Sequence, residues 1–159
     1  MNKYFLFFSV LLFTFWGCTN NQKNDHFLNE DAHSYANFND VRITHMNLSL
    51  TVDFQKNTLD GKVDVSVDNY TNAKQLILDS KDLTIHKVLL DNGVETSFTL
   101  GDISEIFGQP LTIDVEPSTK VVSIYYTTSP DAEALQWLTP EQTLGKEHPF
   151  LFRDRKSVV

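Results

Sequence analysis

Five histidines, a single cysteine and scattered carboxylates are the residues with which this chain could do chemistry. A zinc-activated water needs two His ligands one helical turn apart beside a Glu, the H-E-x-x-H arrangement. His26, His33, His45, His86 and His148 offer no such pair. Glu147-His148 joins the two residue types, but no second ligand follows it. Nucleophilic catalysis has no better footing. No Ser sits in a G-x-S-x-G elbow, and the six Gly are dispersed mostly at turns rather than gathered into a phosphate loop. Asp64 and Asp68 share one face of a strand and are expected to be solvated rather than catalytic. The residues by themselves nominate no catalytic, substrate-binding or metal-ligating side chain.

Cys18 belongs to a different kind of chemistry. Lys3 supplies a positive start, and Tyr4 to Trp16 is almost unbroken apolar sequence. Roughly 13 residues is too short for a span needing ~20 and suits the apolar region of an export signal. Gly17-Cys18 follows, with polar Thr19-Asn20-Asn21-Gln22 behind it. A small residue before the lone Cys resembles a bacterial lipobox, although Phe15 and Trp16 depart from its usual residues. Cys18 is therefore the expected lipidation site. The expected location is exported, as a membrane-anchored bacterial lipoprotein on the periplasmic or outer-membrane face. A cleaved secretory signal is the alternative. One cysteine cannot make an internal disulfide. The sequons Asn47-Leu48-Ser49 and Asn69-Tyr70-Thr71 read as chance behind such a leader.

Net charge is −8 over 159 residues, with the acidic residues scattered. Lacking a Lys/Arg stripe to release counterions from phosphate, the chain is not expected to bind nucleic acid.

Residues 19–32 are polar, lack periodicity and read as a flexible tether. From Val41 the pattern is period two, the mark of half-buried strands. Leu48, Leu50, Val52 and Phe54 alternate with polar residues, while Val41 and Ile43 lie on the opposite parity. That switch predicts a bulge or bend near His45 to Asn47. Asp60-Gly61 predicts a tight turn, and Val63, Val65 and Val67 the returning strand. Further strands are predicted around Leu76, Leu83, Phe98, Leu111 and Val122. Asp102 to Phe107 alone hints at a helical turn, and Ser129-Pro130-Asp131 opens a final irregular segment. About seven strands at this spacing predict an all-β fold, an antiparallel saddle-like β-sandwich preceded by an apolar signal segment.

Leu135-Gln136-Trp137-Leu138-Thr139-Pro140-Glu141-Gln142, continuing through Thr143-Leu144-Gly145-Lys146-Glu147-His148 to Pro149-Phe150-Leu151-Phe152, is the most distinctive run. It resembles a signature from the N-terminal domain of the zinc aminopeptidases that include leukotriene A(4) hydrolase and aminopeptidase N. His33-Ser34-Tyr35-Ala36, Val41 to His45, Leu48 to Phe54, Leu59-Asp60-Gly61 and Leu78 to Ile85 resemble that domain in order. Together they cover residues 33–152.

The resemblance implies a parent of several domains that removes N-terminal residues from peptides. Its catalytic domain would hold zinc through H-E-x-x-H and a distant Glu. None of that machinery is in these residues, so zinc is expected in the full-length parent and no cofactor in this fragment. Peptide substrates would be bound through the missing catalytic domain, against which this domain would pack. The family's substrate-proximal Gln residues fall where this chain has Arg153, Asp154 and Arg155, so that role is not carried over; Gln136 and Gln142 are not substitutes. Trp137, Leu138, Phe150 and Phe152 are expected to pack a long loop onto the sandwich, stiffened by Pro140 and Pro149. In a domain standing alone, Trp137, Phe150 and Phe152 are expected to contribute exposed apolar surface.

Asp154-Arg155-Lys156-Ser157-Val158-Val159 is also the translation of a common sequencing-adapter sequence. Residues 153–159 are accordingly expected to be a non-native tail. The domain reading is signal peptide 1–18, tether 19–32, β domain 33–152 and tail. The functional reading is a non-catalytic N-terminal fragment of an exported zinc aminopeptidase; the alternative is a stand-alone cell-surface binding module.

Overall fold

The computed structural model describes residues 33–91 and 93–153; the leader, Cys18, the tether and residues 154–159 lie outside the described residues. Ten strands follow in chain order: β1 Val41–Asp53, β2 Thr58–Asn69, β3 Gln75–Ser80, β4 Leu83–Leu90, β5 Glu95–Thr96, β6 Phe98–Leu100, β7 Gln109–Asp114, β8 Val121–Thr128, β9 Leu135–Leu138 and β10 Phe150–Arg153. Every pairing among them is antiparallel. They form a five-stranded sheet ordered β1-β2-β8-β4-β5, a three-stranded sheet ordered β3-β7-β6, and a β9-β10 ribbon. The all-β antiparallel reading therefore stands.

Period-two alternation gives the large sheet one apolar face. Register aligns Val65 with Val122, and Val63 with Ile124; on the far side Val88 meets Ile124. Leu76 and Leu78 on β3, with Leu111 and Ile113 on β7, cover one end of this face. Val88, Val122 and Ile113 are completely buried there. The two sheets thus share one core.

Four details depart from the expected pattern, each for a local reason. Asp60-Gly61 makes no turn. The chain reverses over Phe54–Asn57, between paired Asp53 and Thr58. Asp53 Oδ1 accepts the backbone N–H groups of Gln55 (2.9 Å) and Lys56 (3.0 Å), and Asn57 takes φ 54°. An Asp starting a turn and an Asn tolerating the left-handed region are adequate turn chemistry without Gly. Gly61 lies inside β2 because the Tyr126 ring crosses its Cα; a Cβ there would come 2.4 Å from the ring.

The bulge falls between Ile43 and His45, just before the expected stretch. Asp102 to Phe107 is not helical. Ser104 Oγ accepts the N–H groups of Ile106 and Phe107, both at 3.3 Å, and Ser104 and Gly108 bond each other's backbone across the loop. A serine hydroxyl that captures nearby N–H groups competes with helix formation. Finally, the segment after Ser129 contains the β9-β10 ribbon. Its strands are short, and β5, at two residues, is too short to show alternation.

Gly61→Ala should lower stability by about 1–3 kcal/mol, the usual cost of overpacking, measured as a shift in urea midpoint. The Gly61→Ala/Tyr126→Ala pair should be less destabilised than the sum of its single variants. Strict additivity would rule out the ring contact as the reason for this glycine.

Candidate functional site

The three-stranded sheet is shorter than the face it covers, and the uncovered part is a cleft of about 510 Å³. Leu48 and Leu50 of β1, Leu59 and Val63 of β2, Ile85 of β4 and Tyr126 of β8 form its apolar wall. Met46, Leu50 and Val52 remain 37–43% exposed on the inward face of β1, while Leu48 between them is partly buried. Tyr126 is half-buried, and burial raises its phenol above the ordinary value, partly opposed by the Arg153 charge.

Polar groups gather at the rim. Asp79, at the end of β3, accepts from Ser34 Oγ (2.7 Å) and the Tyr35 backbone N–H (2.8 Å). These bonds moor the start of the described chain, and His33 lies 5.9 Å from the Phe107 ring. Lys81 donates to Glu133 (2.7 Å) and to the Glu105 carbonyl (3.0 Å). The Glu133 bond, followed by its charge, raises the Lys81 amine. The left-handed Asp82 (φ 58°) turns the chain between β3 and β4, and its carbonyl accepts from Ser129 at 2.7 Å.

The ribbon closes one end of the cleft. Leu135 pairs with Arg153, and both line it. Trp137 meets Phe54 edge to face with centroids 5.7 Å apart, fixing the ribbon to the β1-β2 turn. Phe150 and Phe152, expected to pack inward with Trp137 and Leu138, instead point out and are more than half exposed. They alternate with Leu151, the cross-strand partner of Trp137, which shares the face of the ribbon that Trp137 occupies. The run read as a packed loop is thus a hairpin with one packed and one bare face. Pro140 opens its short 3-10 turn, Pro140–Gln142, where Gln142 Oε1 accepts the Thr139 N–H at 2.9 Å. Gln136 faces solvent opposite Phe152.

The opposite face of the large sheet is polar and cross-linked. Asp60, Thr127 and His86 come together from β2, β8 and β4. Thr127 donates to Asp60 at 2.6 Å, so His86 Nε2, at 2.7 Å, must donate to the Thr127 oxygen. In that direction His86 gives its proton to Thr127 rather than taking one, and the trio ties β2, β8 and β4 together. Beside it Lys87 and Lys62 flank the Tyr125 ring at 4.4 and 5.8 Å. Asp64 is ion-paired with Lys62 at 2.9 Å and accepts from Ser123, so it is not the freely solvated carboxylate expected. Asp68 matches that expectation better: it is half-exposed, with Lys120 3.9 Å away.

His33, His45, His86 and His148 lie on separate elements, and no three His, Cys, Asp or Glu side chains form a metal set among the described residues. His26 and Cys18 lie outside them. The described residues do not fit a zinc centre. What they can do is present an apolar cleft and a bare aromatic hairpin to another surface.

No family model matches the chain. A leucine aminopeptidase 2 of Yarrowia lipolytica is 38% identical over 133 residues, 80% of this chain and 20% of that relative. A leukotriene A-4 hydrolase of Xenopus laevis is 41% identical over 128 residues, 77% of this chain and 21% of its own length. The solved structure of yeast LTA4 hydrolase in complex with bestatin superimposes with a TM-score of 0.73 at 26% identity, covering 82% of this chain and 21% of that one. The chain therefore spans about a fifth of the length of these relatives.

Asp64 gives the outer face a pH signature. Its carboxyl lies below the ordinary value of 3.8, first through the Lys62 bond and then through Ser123. A depressed carboxyl stabilises the fold above its unfolded value and ceases to as pH falls through the folded one. Asp64→Asn should therefore cost about 1 kcal/mol at neutral pH, a partly exposed charged bond being discounted for solvent. The gap to the native chain should close in acid titration below the ordinary carboxyl value. A gap independent of pH would show that the charge is not responsible.

Proposed function

We propose, from this chain's membership of the leukotriene A-4 hydrolase family, that it is the N-terminal β domain of an exported zinc aminopeptidase that removes N-terminal residues from peptides. In this reading zinc and the hydrolytic chemistry belong to the parent beyond these residues. The domain itself is a structural partner. Its open cleft and the bare Phe150 and Phe152 are the surfaces that would rest against the remainder of the parent.

The observation that carries the reading is the mismatch in coverage. About 80% of this chain matches relatives named as aminopeptidase and hydrolase, yet accounts for only 20–21% of their length. Burying the cleft would also remove apolar surface from water, worth about 25 cal/mol per Å². A stand-alone binding module is the second reading, favoured by the cleft alone, whose lining could receive an apolar peptide segment. Export and lipidation at Cys18 complete the proposal, resting on the Tyr4–Trp16 and Gly17-Cys18 pattern.

Two measurements test it. A gene product continuing beyond Phe152 should hydrolyse an aminoacyl reporter and lose that activity on zinc chelation, whereas the 159-residue chain should not hydrolyse it. Zinc-dependent cleavage by the short chain, or a genuine gene stop directly after Phe152, would overturn the enzyme reading. Separately, cells fed a labelled fatty acid should label the chain through Cys18, and Cys18→Ser should lose the label. A label retained in that variant would remove the anchor from the proposal.

A further inference from the structure

All three sheets meet at one turn. β3 belongs to the small sheet and β4 to the large one, so the chain crosses between them at Lys81 and Asp82. Asp82 makes the crossing in the left-handed region, at φ 58°, which a short polar side chain tolerates. The third sheet, the β9-β10 ribbon, hangs from the same two residues through the segment that leads into it. Ser129 N–H donates to the Asp82 carbonyl at 2.7 Å, and Glu133 N–H to the Asp82 carboxylate at 3.3 Å. Glu133 Oε2 in turn accepts from Lys81 Nζ at 2.7 Å. Bonds from Ala132 N–H to the Ser129 carbonyl and from Leu135 N–H to the Ala132 carbonyl then carry the chain into β9.

Lys81 also reaches the loop between β6 and β7. Its second bond goes to the Glu105 carbonyl at 3.0 Å. Beside it the backbone of Gly108, at φ 73°, lies so close to the Ser80 carbonyl and Lys81 Cβ that a side chain there has no room. One ammonium group therefore joins loop 102–108 and the approach to β9 to the junction of the two sheets.

Further along β9 the ribbon is held by a contact of another kind, the Trp137–Phe54 edge-to-face pair. An aromatic pair depends on shape and buried area, whereas an ion pair depends on charge and is screened by salt. The Lys81 and Glu133 side chains are 36% and 76% exposed, so their pair adds little to stability. It can let go without disturbing the core, whose sealed residues Val88, Val122 and Ile113 lie elsewhere. We propose that Lys81 is a positioning residue. Its ion pair with Glu133 sets how the β9-β10 ribbon stands about the Trp137–Phe54 contact, making the ribbon a salt-sensitive hinge at the end of the cleft. The hinge is a property of this chain; its use in aiming Phe150 and Phe152 at a catalytic portion rests on the aminopeptidase reading. A parent without peptidase activity would sink that reading and leave the hinge standing.

The test uses the 159-residue chain carrying Cys18→Ser, with nitroxide labels on pairs of introduced cysteines. Glu95→Cys with Gln136→Cys reads the ribbon against the far edge of the large sheet, both positions being exposed. Glu95→Cys with Asn47→Cys reads two strands of the large sheet and serves as the reference. At low salt the ribbon pair should give one narrow distance distribution. Lys81→Gln and Glu133→Gln should each broaden and shift it, and the double variant should go no further than either single one. Lys81→Arg, which keeps charge and reach, should restore the native distribution. At about 1 M salt, where the screening length falls to about 3 Å, the native chain should move toward the Lys81→Gln distribution. Lys81→Gln itself should not respond to salt, and the reference pair should stay constant throughout.

A ribbon distribution unmoved in both Gln variants would overturn the proposal. Equal broadening of the reference pair would do the same, because the fold as a whole would then be loosening. An Arg variant that behaves like the Gln variant would remove the charge as the cause.

Discussion

The constraint on which this domain depends is the need to bury one apolar face of a sheet that is longer than the layer covering it. Alternation in β1, β2, β4 and β8 puts every second side chain on that face. Where β3 and β7 lie over it, Val88, Val122, Leu76 and Ile113 are sealed from water. Because valines, leucines and isoleucines supply this core, its stabilisation is non-directional and scales with covered area. Coverage stops before the β1-β2 turn. There the same alternation continues through Met46, Leu48 and Leu50, which line the cleft.

Register follows from that burial. A one-residue slip in β2 would send Val63, Val65 and Val67 to the polar side and bring Lys62 and Asp64 into the core. The polar face adds a second, weaker restraint. Asp60–Thr127–His86 and Lys62–Tyr125–Lys87 each tie β2, β8 and β4 together at matching heights. Gly61 belongs to the same logic, since only a residue without Cβ lets the Tyr126 ring lie against β2.

The sequence made legible what depends on periodicity. β1, β2, β7 and β8 are long enough for alternation to declare itself, and the all-β architecture follows from them. Punctuation was less legible. Asp60-Gly61 has hairpin composition, but its glycine answers to a ring contributed by β8, more than sixty residues away in sequence. Asp53 and Asn57, the residues that do make the turn, sit in a polar stretch with no conspicuous signal. Ser104 diverts a short helical pattern through two local hydrogen bonds. The polar triads escaped notice because their members lie on three strands, and only register brings them to one height. The Leu135–Phe152 run carries a family resemblance but no legible hairpin, since four-residue strands have too few positions to show a period.

The uncovered cleft and the outer side of β1, unpaired among the described residues, are two consequences of one arrangement. Both lie on the side of the domain where the small sheet is absent and where the ribbon brings Arg153 to the rim. Covering the cleft satisfies side chains; pairing the edge satisfies backbone N–H and C=O groups. A partner laid over the cleft need not touch the edge, and a strand added to the edge leaves the cleft open while extending its wall. The two surfaces can therefore be occupied independently.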